Sequence, residues 1–278
     1  MNREQYPEIP SDRADDLHNL EIIDKAQLIL FMAGNQFMVM NDLIGLFQER
    51  HPEVKYIFYE TLPPGLELKQ ILANGALFKG VLITGSPDIY TSVTGDAMKE
   101  LKSRGHISDY FIYLHNRLVL MVPEGNPSVV KTVNDLGRDN VRISQPGAME
   151  DVTHYIIDMY EKAGGDGLVK RIMDEKRAEG TTILTVVHHR ETPLRIKKGT
   201  VDVGPVWATE VINAQRNGLK VEAVEPGESL DQRDKVNYFL TRLKNAPNPE
   251  NADKFLNFIR SPQAQEIYRK YGFVPHFI

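Results

Sequence analysis

The chain contains no cysteine. Disulfides, thiol nucleophiles and thiolate metal sites are therefore excluded together. It has no apolar run of about 18 residues, the length a membrane-crossing helix needs. It lacks a basic excess: 33 Lys and Arg stand against 38 Asp and Glu, a net charge of -5, so no global field holds nucleic acid. An anionic ligand must be met by local dipoles and a few cations. No G-x-S-x-G, P-loop or H-E-x-x-H pattern occurs, which removes the commonest signatures of hydrolase, nucleotide and zinc-protease chemistry. Tryptophan is present once, at Trp207.

What is present is ordinary for a soluble globular protein: 41% hydrophobic and 26% charged residues. A length of 278 residues allows two lobes, each with its own core. Residues 1–26 read as a polar, acidic N-terminal extension with Pro7 and Pro10, unlike a secretory signal. From Gln27 onward strands and helices alternate. Strand patterns cover Gln27–Ala33, Val54–Glu60, Asp88–Tyr90 and Arg117–Val122; helical spacing covers Gln36–Arg50, Leu66–Leu72 and Ala97–Arg104. Pro123-Glu124-Gly125-Asn126-Pro127 marks a boundary, after which the pattern restarts. Strands are expected at Val141–Ser144, Ile183–Val187, Thr200–Val206, Leu219–Glu225 and Val236–Leu243, with helices at Val152–Ala163, Ala208–Asn217, Pro249–Ile259 and Pro262–Tyr271.

This alternation predicts an α/β protein of two lobes, each a mixed, mostly parallel sheet flanked by helices. Residues 27–122 with 236–278 form the first lobe and 123–235 the second, with crossings near 122–126 and 226–237. Ligands of open α/β sheets bind beyond the carboxyl ends of the strands, so a ligand cleft between the lobes is expected.

The closing string Ser261-Pro262-Gln263-Ala264-Gln265-Glu266-Ile267-Tyr268-Arg269-Lys270-Tyr271-Gly272-Phe273 resembles the last helix of bacterial periplasmic solute-binding proteins, especially the molybdate-type ones. The order of Ala33-Gly34-Asn35-Gln36, Glu60-Thr61-Leu62-Pro63, Pro87-Asp88-Ile89-Tyr90-Thr91-Ser92 and Gln145-Pro146-Gly147-Ala148-Met149-Glu150-Asp151 is similar to that family's order of strand ends and anion loops. The resemblance covers Gln27 to Phe273. It implies the type II periplasmic-binding-protein fold and a site built from Gly34, Asn35, Thr61, Ala148, Asp151 and Val152. Helix N-termini in those loops can hold an oxyanion with unpaired N–H groups and the positive dipole end.

The chain departs from the family at two places. The small hydroxyl residues of the first two loops are partly missing, with Asn35 and Thr61 as replacements and Glu60 adjacent. Either Glu60 points away or the ligand carries a donor. The second departure is Val187-His188-His189-Arg190-Glu191-Thr192-Pro193. By resemblance, the spacing from His189 to Trp207 puts both in the cleft, where His188 and Arg190 add charge; arginine's planar fork suits an oxyanion or carboxylate. The plainer readings are a satisfied loop histidine, a core Trp207, an N-capping Asn35 and an exposed Arg195–Lys198 helix end. Zinc at His188, His189 and Glu191 is disfavoured, because adjacent histidines on one loop seldom both ligate one ion and no His-x₃-His pair exists. No cofactor or metal is expected.

The reading is a non-enzymatic monomer that binds a small anionic solute, a molybdate-, tungstate- or sulfate-like oxyanion or a small organic acid. The solute is destined for an ABC permease or a membrane sensor outside the cytoplasm. A stand-alone sensor of the same fold, including a cytoplasmic one, is the alternative; an enzyme comes third, because the enzymes that resemble this architecture rely on a cysteine.

Overall fold

The computed structural model describes residues 6–148, 150, 152–186, 191–227 and 230–277. Strands β1 (Glu8–Ile9) and β2 (Leu17–His18) precede β3 (Leu28–Phe31), α1 (Met40–Arg50), β4 (Ile57–Glu60), α2 (Pro64–Ala73), β5 (Gly75–Phe78) and β6 (Val81–Thr84). Next come β7 (Ile89–Ser92), α3 (Gly95–Ser103), β8 (Phe111–His115), β9 (Leu118–Pro123), β10 (Ile143–Gln145), α4 (Val152–Lys170) and α5 (Lys176–Ala178). The chain continues through β11 (Thr182–Leu184), α6 (Glu191–Lys197), β12 (Gly204–Trp207), α7 (Ala208–Arg216) and β13 (Val221–Val224). It ends with β14 (Asn237–Arg242), α8 (Pro249–Ile259), α9 (Pro262–Lys270) and β15 (Val274–Pro275).

The fold is a two-lobed α/β architecture with mixed sheets flanked by helices, the type II periplasmic-binding-protein arrangement. One unit contains the residues up to His115, Asn237–Lys270 and the tail from Val274; the other contains Asn116–Val236 with Tyr271–Phe273. The chain changes unit upstream of the Pro123–Pro127 turn because β9 hydrogen-bonds antiparallel to β12 and β13 of the second unit.

The first unit is built on a seven-stranded sheet of order β15-β8-β14-β7-β3-β4-β2. Only the centre is parallel: β3 pairs parallel with β4 and with β7, and the remaining pairs are antiparallel. Strand β3, Leu-Ile-Leu-Phe, is buried on both faces, as a central strand with cover on each side must be. On one face Ile29, Phe31, Phe58, Tyr90, Met98 and Leu101 form a core. Helix α1 turns Met40, Leu43 and Phe47 inward, and the Phe47 ring meets Phe255 and Phe258 of α8 edge-on at 5.3 and 5.5 Å. Fully burying one such ring is worth roughly 1.5–3 kcal/mol.

Two pieces of this unit escape the sequence pattern. Residues 6–26 form an ordered strap: Ile9 is 1% exposed, β1 pairs with β5, β2 pairs with β4, and Leu17, Leu20 and Ile23 pack on the core. Strands β5 and β6 form a hairpin whose two loop residues, Lys79 and Gly80, have φ of 49° and 81°. Both central residues at positive φ make the type I′ geometry that suits strand twist, but a lysine at the first position hides the signal.

The second unit joins the antiparallel β12-β9-β13 sheet with the parallel β10-β11 pair, through a bridge between Ile143 and Val203. Its core of Val119, Met121, Val206, Val211 and Val221 lies under α6 and α7. The helix expected to stop at Ala163 breaks two residues later, at Gly165, whose φ of 67° and ψ of -171° are non-helical, and a second helical stretch carries α4 on to Lys170.

Candidate functional site

In the first unit the loops after β3, β4 and β7 leave the carboxyl ends of adjacent parallel strands. The first two touch at Gly34. A Cβ there would lie 3.1 Å from the Thr61 carbonyl oxygen and 3.3 Å from that of Leu62, so a bare Cα lets the loops close on one another. Asn35 is 5% exposed and Thr61 is fully buried. Asn35 Nδ2 donates to the Tyr238 hydroxyl of β14. Asn35 Oδ1 and Thr61 Oγ1 are buried and have no hydrogen-bond partner among the described residues. The structure thus brings Gly34, Asn35 and Thr61 together and leaves two side-chain polar atoms unmet.

The residue beside Asn35 anchors the loop. Gln36 is fully buried, and each end of its amide is engaged. Its Nε2 donates to Thr91 Oγ1 at 3.1 Å, and its Oε1 accepts from Tyr113 at 2.7 Å and Tyr268 at 3.0 Å. Thr91 Oγ1 also accepts from the backbone N–H of Ala33 at 2.7 Å. Burial pushes the Tyr113 and Tyr268 phenols up, so both remain protonated donors.

Glu60 turns into the core of its own unit. It is fully buried on the Phe58 face of β4, and its Oε2 accepts from Gln70 Nε2 of α2 at 3.4 Å. Burial drives its carboxyl pKa well above the usual range, against the lowering effect of the Gln70 bond, and the nearby Asp16 adds to the rise.

The second unit repeats the device. A Cβ on Gly147 would meet the Thr185 carbonyl oxygen at 3.1 Å, and Gly147 N–H donates to Thr185 Oγ1 at 3.1 Å. Gln145, fully buried at the end of β10, accepts the Tyr160 hydroxyl at 2.7 Å and donates Nε2 to the Pro146 carbonyl at 3.3 Å. Thr153 Oγ1 donates to the Gly147 carbonyl at 2.6 Å, fixing the loop to the first turn of α4. Ala148 is exposed in that loop, and Val152 is buried at the start of the helix, so it offers the loop backbone rather than a side chain.

Trp207 ends β12 only 2% exposed, its ring edge-on to Tyr155 of α4 at 5.7 Å. Asp151, His188, His189 and Arg190 lie outside the described residues. Glu191, weighed as a zinc partner, instead accepts Arg195 Nη2 at 2.7 Å and the Val186 N–H at 2.8 Å. Among the described residues no group of three or more His, Asp or Glu side chains is placed to hold a metal.

Arg195 is not the exposed helix end expected from its lysine neighbours. It is half-buried and donates to the carbonyls of Ile183 and Leu184 at 2.9 Å each and to Ser144 Oγ at 3.3 Å. It therefore ties α6 to β10 and β11. The anchoring residues Gln36, Thr91, Tyr113, Tyr238, Tyr268, Gln145 and Tyr160 left no local signal, because most of their partners are far away in sequence.

The family model for bacterial extracellular solute-binding proteins matches residues 28–274, and the chain belongs to that family. It is 24% identical over 208 residues to YvgL of Bacillus subtilis (strain 168), described as an ABC transporter substrate-binding lipoprotein; the match covers 72% of each chain. The periplasmic molybdate-binding protein of Azotobacter vinelandii has the same fold, with a TM-score of 0.68, 18% identity and coverage of 89% of this chain and 98% of that one. So does the sulfate-binding protein SubI of Mycobacterium tuberculosis H37Rv, with a TM-score of 0.69, 17% identity and coverage of 90% and 86%.

Proposed function

We propose that this member of the extracellular solute-binding family captures a small anion, an oxyanion or small organic acid, without chemical turnover. In that role it works outside the cytoplasmic membrane and hands its solute to an ABC permease. The observation that carries the reading is the buried Thr61 Oγ1 at the carboxyl end of β4, a hydroxyl with no partner among the described residues that can donate to an anion; Asn35 Oδ1 beside it only accepts, and suits an O–H or N–H of a protonated ligand. A buried polar atom left unsatisfied costs about 1–3 kcal/mol, and such atoms persist where a ligand completes them.

The chemistry of the loops suits an anion met by neutral donors. Thr61 Oγ1 donates readily, and the backbone N–H groups of Asn35 and Ala148 belong to segments that lead into helices. Asp151, Val152, His188, His189, Arg190 and Trp207 complete the proposed set on the sequence reading. Fold relatives that bind molybdate and sulfate support the tetrahedral-oxyanion class.

Calorimetry with molybdate, tungstate, sulfate, phosphate and small carboxylates tests the reading. One ligand per chain and an unchanged ligand after prolonged incubation are expected. Heats indistinguishable from dilution across the whole panel, with no rise in melting temperature, would sink it.

A further inference from the structure

We infer that the hydroxyls of Tyr113, Tyr238 and Tyr268 are positioning groups for the Gly34–Gln36 loop, setting the conformation in which it meets its ligand. The inference rests on the function proposed above only for the word ligand; the positioning claim concerns the loop itself.

The three tyrosines come from three separate elements of the first unit and converge on two consecutive loop residues. Tyr113 lies on β8, shortly before the chain leaves this unit after His115; Tyr238 lies on β14, just after the chain returns at Asn237. Tyr268 lies on α9. Tyr113 and Tyr268 both donate to Gln36 Oε1, filling both lone pairs of that carbonyl. Tyr238 accepts from Asn35 Nδ2. The rings also brace one another: Tyr113 meets Tyr268 edge-on at 5.8 Å and Tyr238 edge-on at 6.5 Å. All three tyrosines are fully buried.

Core packing alone does not account for these residues. Phenylalanine would fill the same volume without burying a hydroxyl that needs a partner. Tyrosine at all three positions, with every hydroxyl aimed at the same short loop, marks the loop as what is being held. Gln36 in turn holds Thr91 Oγ1, which takes the Ala33 N–H, so the backbone on both sides of Gly34 and Asn35 is fixed. A loop fixed in this way loses little freedom when it binds. The second unit reaches the same end with one hydroxyl, that of Tyr160 on Gln145.

The test is a set of volume-conserving variants, Tyr113→Phe, Tyr238→Phe and Tyr268→Phe, beside Thr241→Val. The last removes a buried hydroxyl that donates to the Asp109 carbonyl at 2.6 Å in the same unit, without touching the loop. Amide hydrogen exchange is read at residues 34–37 in the unliganded chain, together with melting temperature. Each tyrosine variant should speed exchange at these amides at least fivefold, while Thr241→Val, at a similar loss of melting temperature, leaves them unchanged. Gln36→Met, which removes the shared acceptor, should match Tyr113→Phe and Tyr268→Phe combined rather than add to them. Exchange at 34–37 that merely follows global stability in all variants overturns the inference.

A second arm titrates molybdate and sulfate. Weakening of at least tenfold in the tyrosine variants, and little in Thr241→Val, is expected. If the wild type binds neither ion nor any member of the wider panel, the function proposed above fails, and the exchange arm still decides the positioning claim.

Discussion

Asp88 and Asn248 are joined twice: the Asp88 carboxylate accepts the Asn248 backbone N–H at 2.6 Å and its Nδ2 at 3.0 Å. The same carboxylate accepts the Ile29 N–H of β3 at 2.8 Å, while the Asp88 carbonyl takes the Leu243 N–H at 3.1 Å. One buried side chain, at the entry to β7, thus ties the central strand to the start of α8. Burial raises its pKa in spite of these three donors, which pull the other way.

Asp88→Ala should therefore destabilise the first unit by about 3–5 kcal/mol, since it strips the partners from several buried donors at once. Urea unfolding followed by circular dichroism measures the loss. A cost below about 1 kcal/mol would show that the carboxylate is dispensable.

Glu60 supplies a pH dependence whose sign follows from its raised pKa. The folded chain holds this proton more tightly than the unfolded chain does, so the group's contribution is full below the ordinary glutamate pKa of 4.5 and is lost as pH rises toward the folded value. Glu60→Gln keeps the shape and removes the ionisation. The variant should gain about 1 kcal/mol over wild type at pH 8, more than at pH 5. Guanidine titrations at the two pH values check this, and an equal difference at both would contradict it.

Thr61 separates binding from stability. Its hydroxyl is buried without a partner among the described residues, so Thr61→Val should leave the melting temperature unchanged or raise it. Affinity for the bound oxyanion should fall about tenfold, the worth of roughly one hydrogen bond to a charged acceptor. Calorimetry and thermal scans on the same preparation give both quantities; a stability loss without an affinity loss would place the hydroxyl outside the site.

Ile9 tests whether the strap contributes to the first unit. It is 1% exposed in the core beneath β5. Ile9→Ala should cost about 2–4 kcal/mol, the range for deleting a buried isoleucine side chain. A surface-like cost of a few tenths would mean that the strap is only loosely applied.

The alternation of strands and helices was readable because it rests on local hydrophobic period. The ends of α8 were legible to the residue, where Pro249 takes the first helical position and its missing N–H costs nothing. The strap was not legible, since Pro7, Pro10 and a run of acids look like a linker until Ile9, Leu17 and Leu20 find the core. At the site, Gly34, Asn35 and Thr61 were nameable from their place after strands. Gln36 was absorbed into a helical run, because its importance lies in Tyr113 and Tyr268, 77 and 232 positions away. Arg195 is hidden for a related reason: a basic residue late in a helix ordinarily answers the dipole, whereas this one reaches the carbonyls of β11.

The outermost strands of the seven-stranded sheet, β15 and β2, are each two residues long and come from opposite ends of the chain. A sheet's outer rows of unpaired N–H and C=O groups are templates for a neighbouring molecule. Here the chain's own extremities occupy part of both rows. Trimming residues up to His18, or from Val274 onward, would uncover β4 on one flank and β8 on the other, and the damage would register first as self-association in concentrated solution.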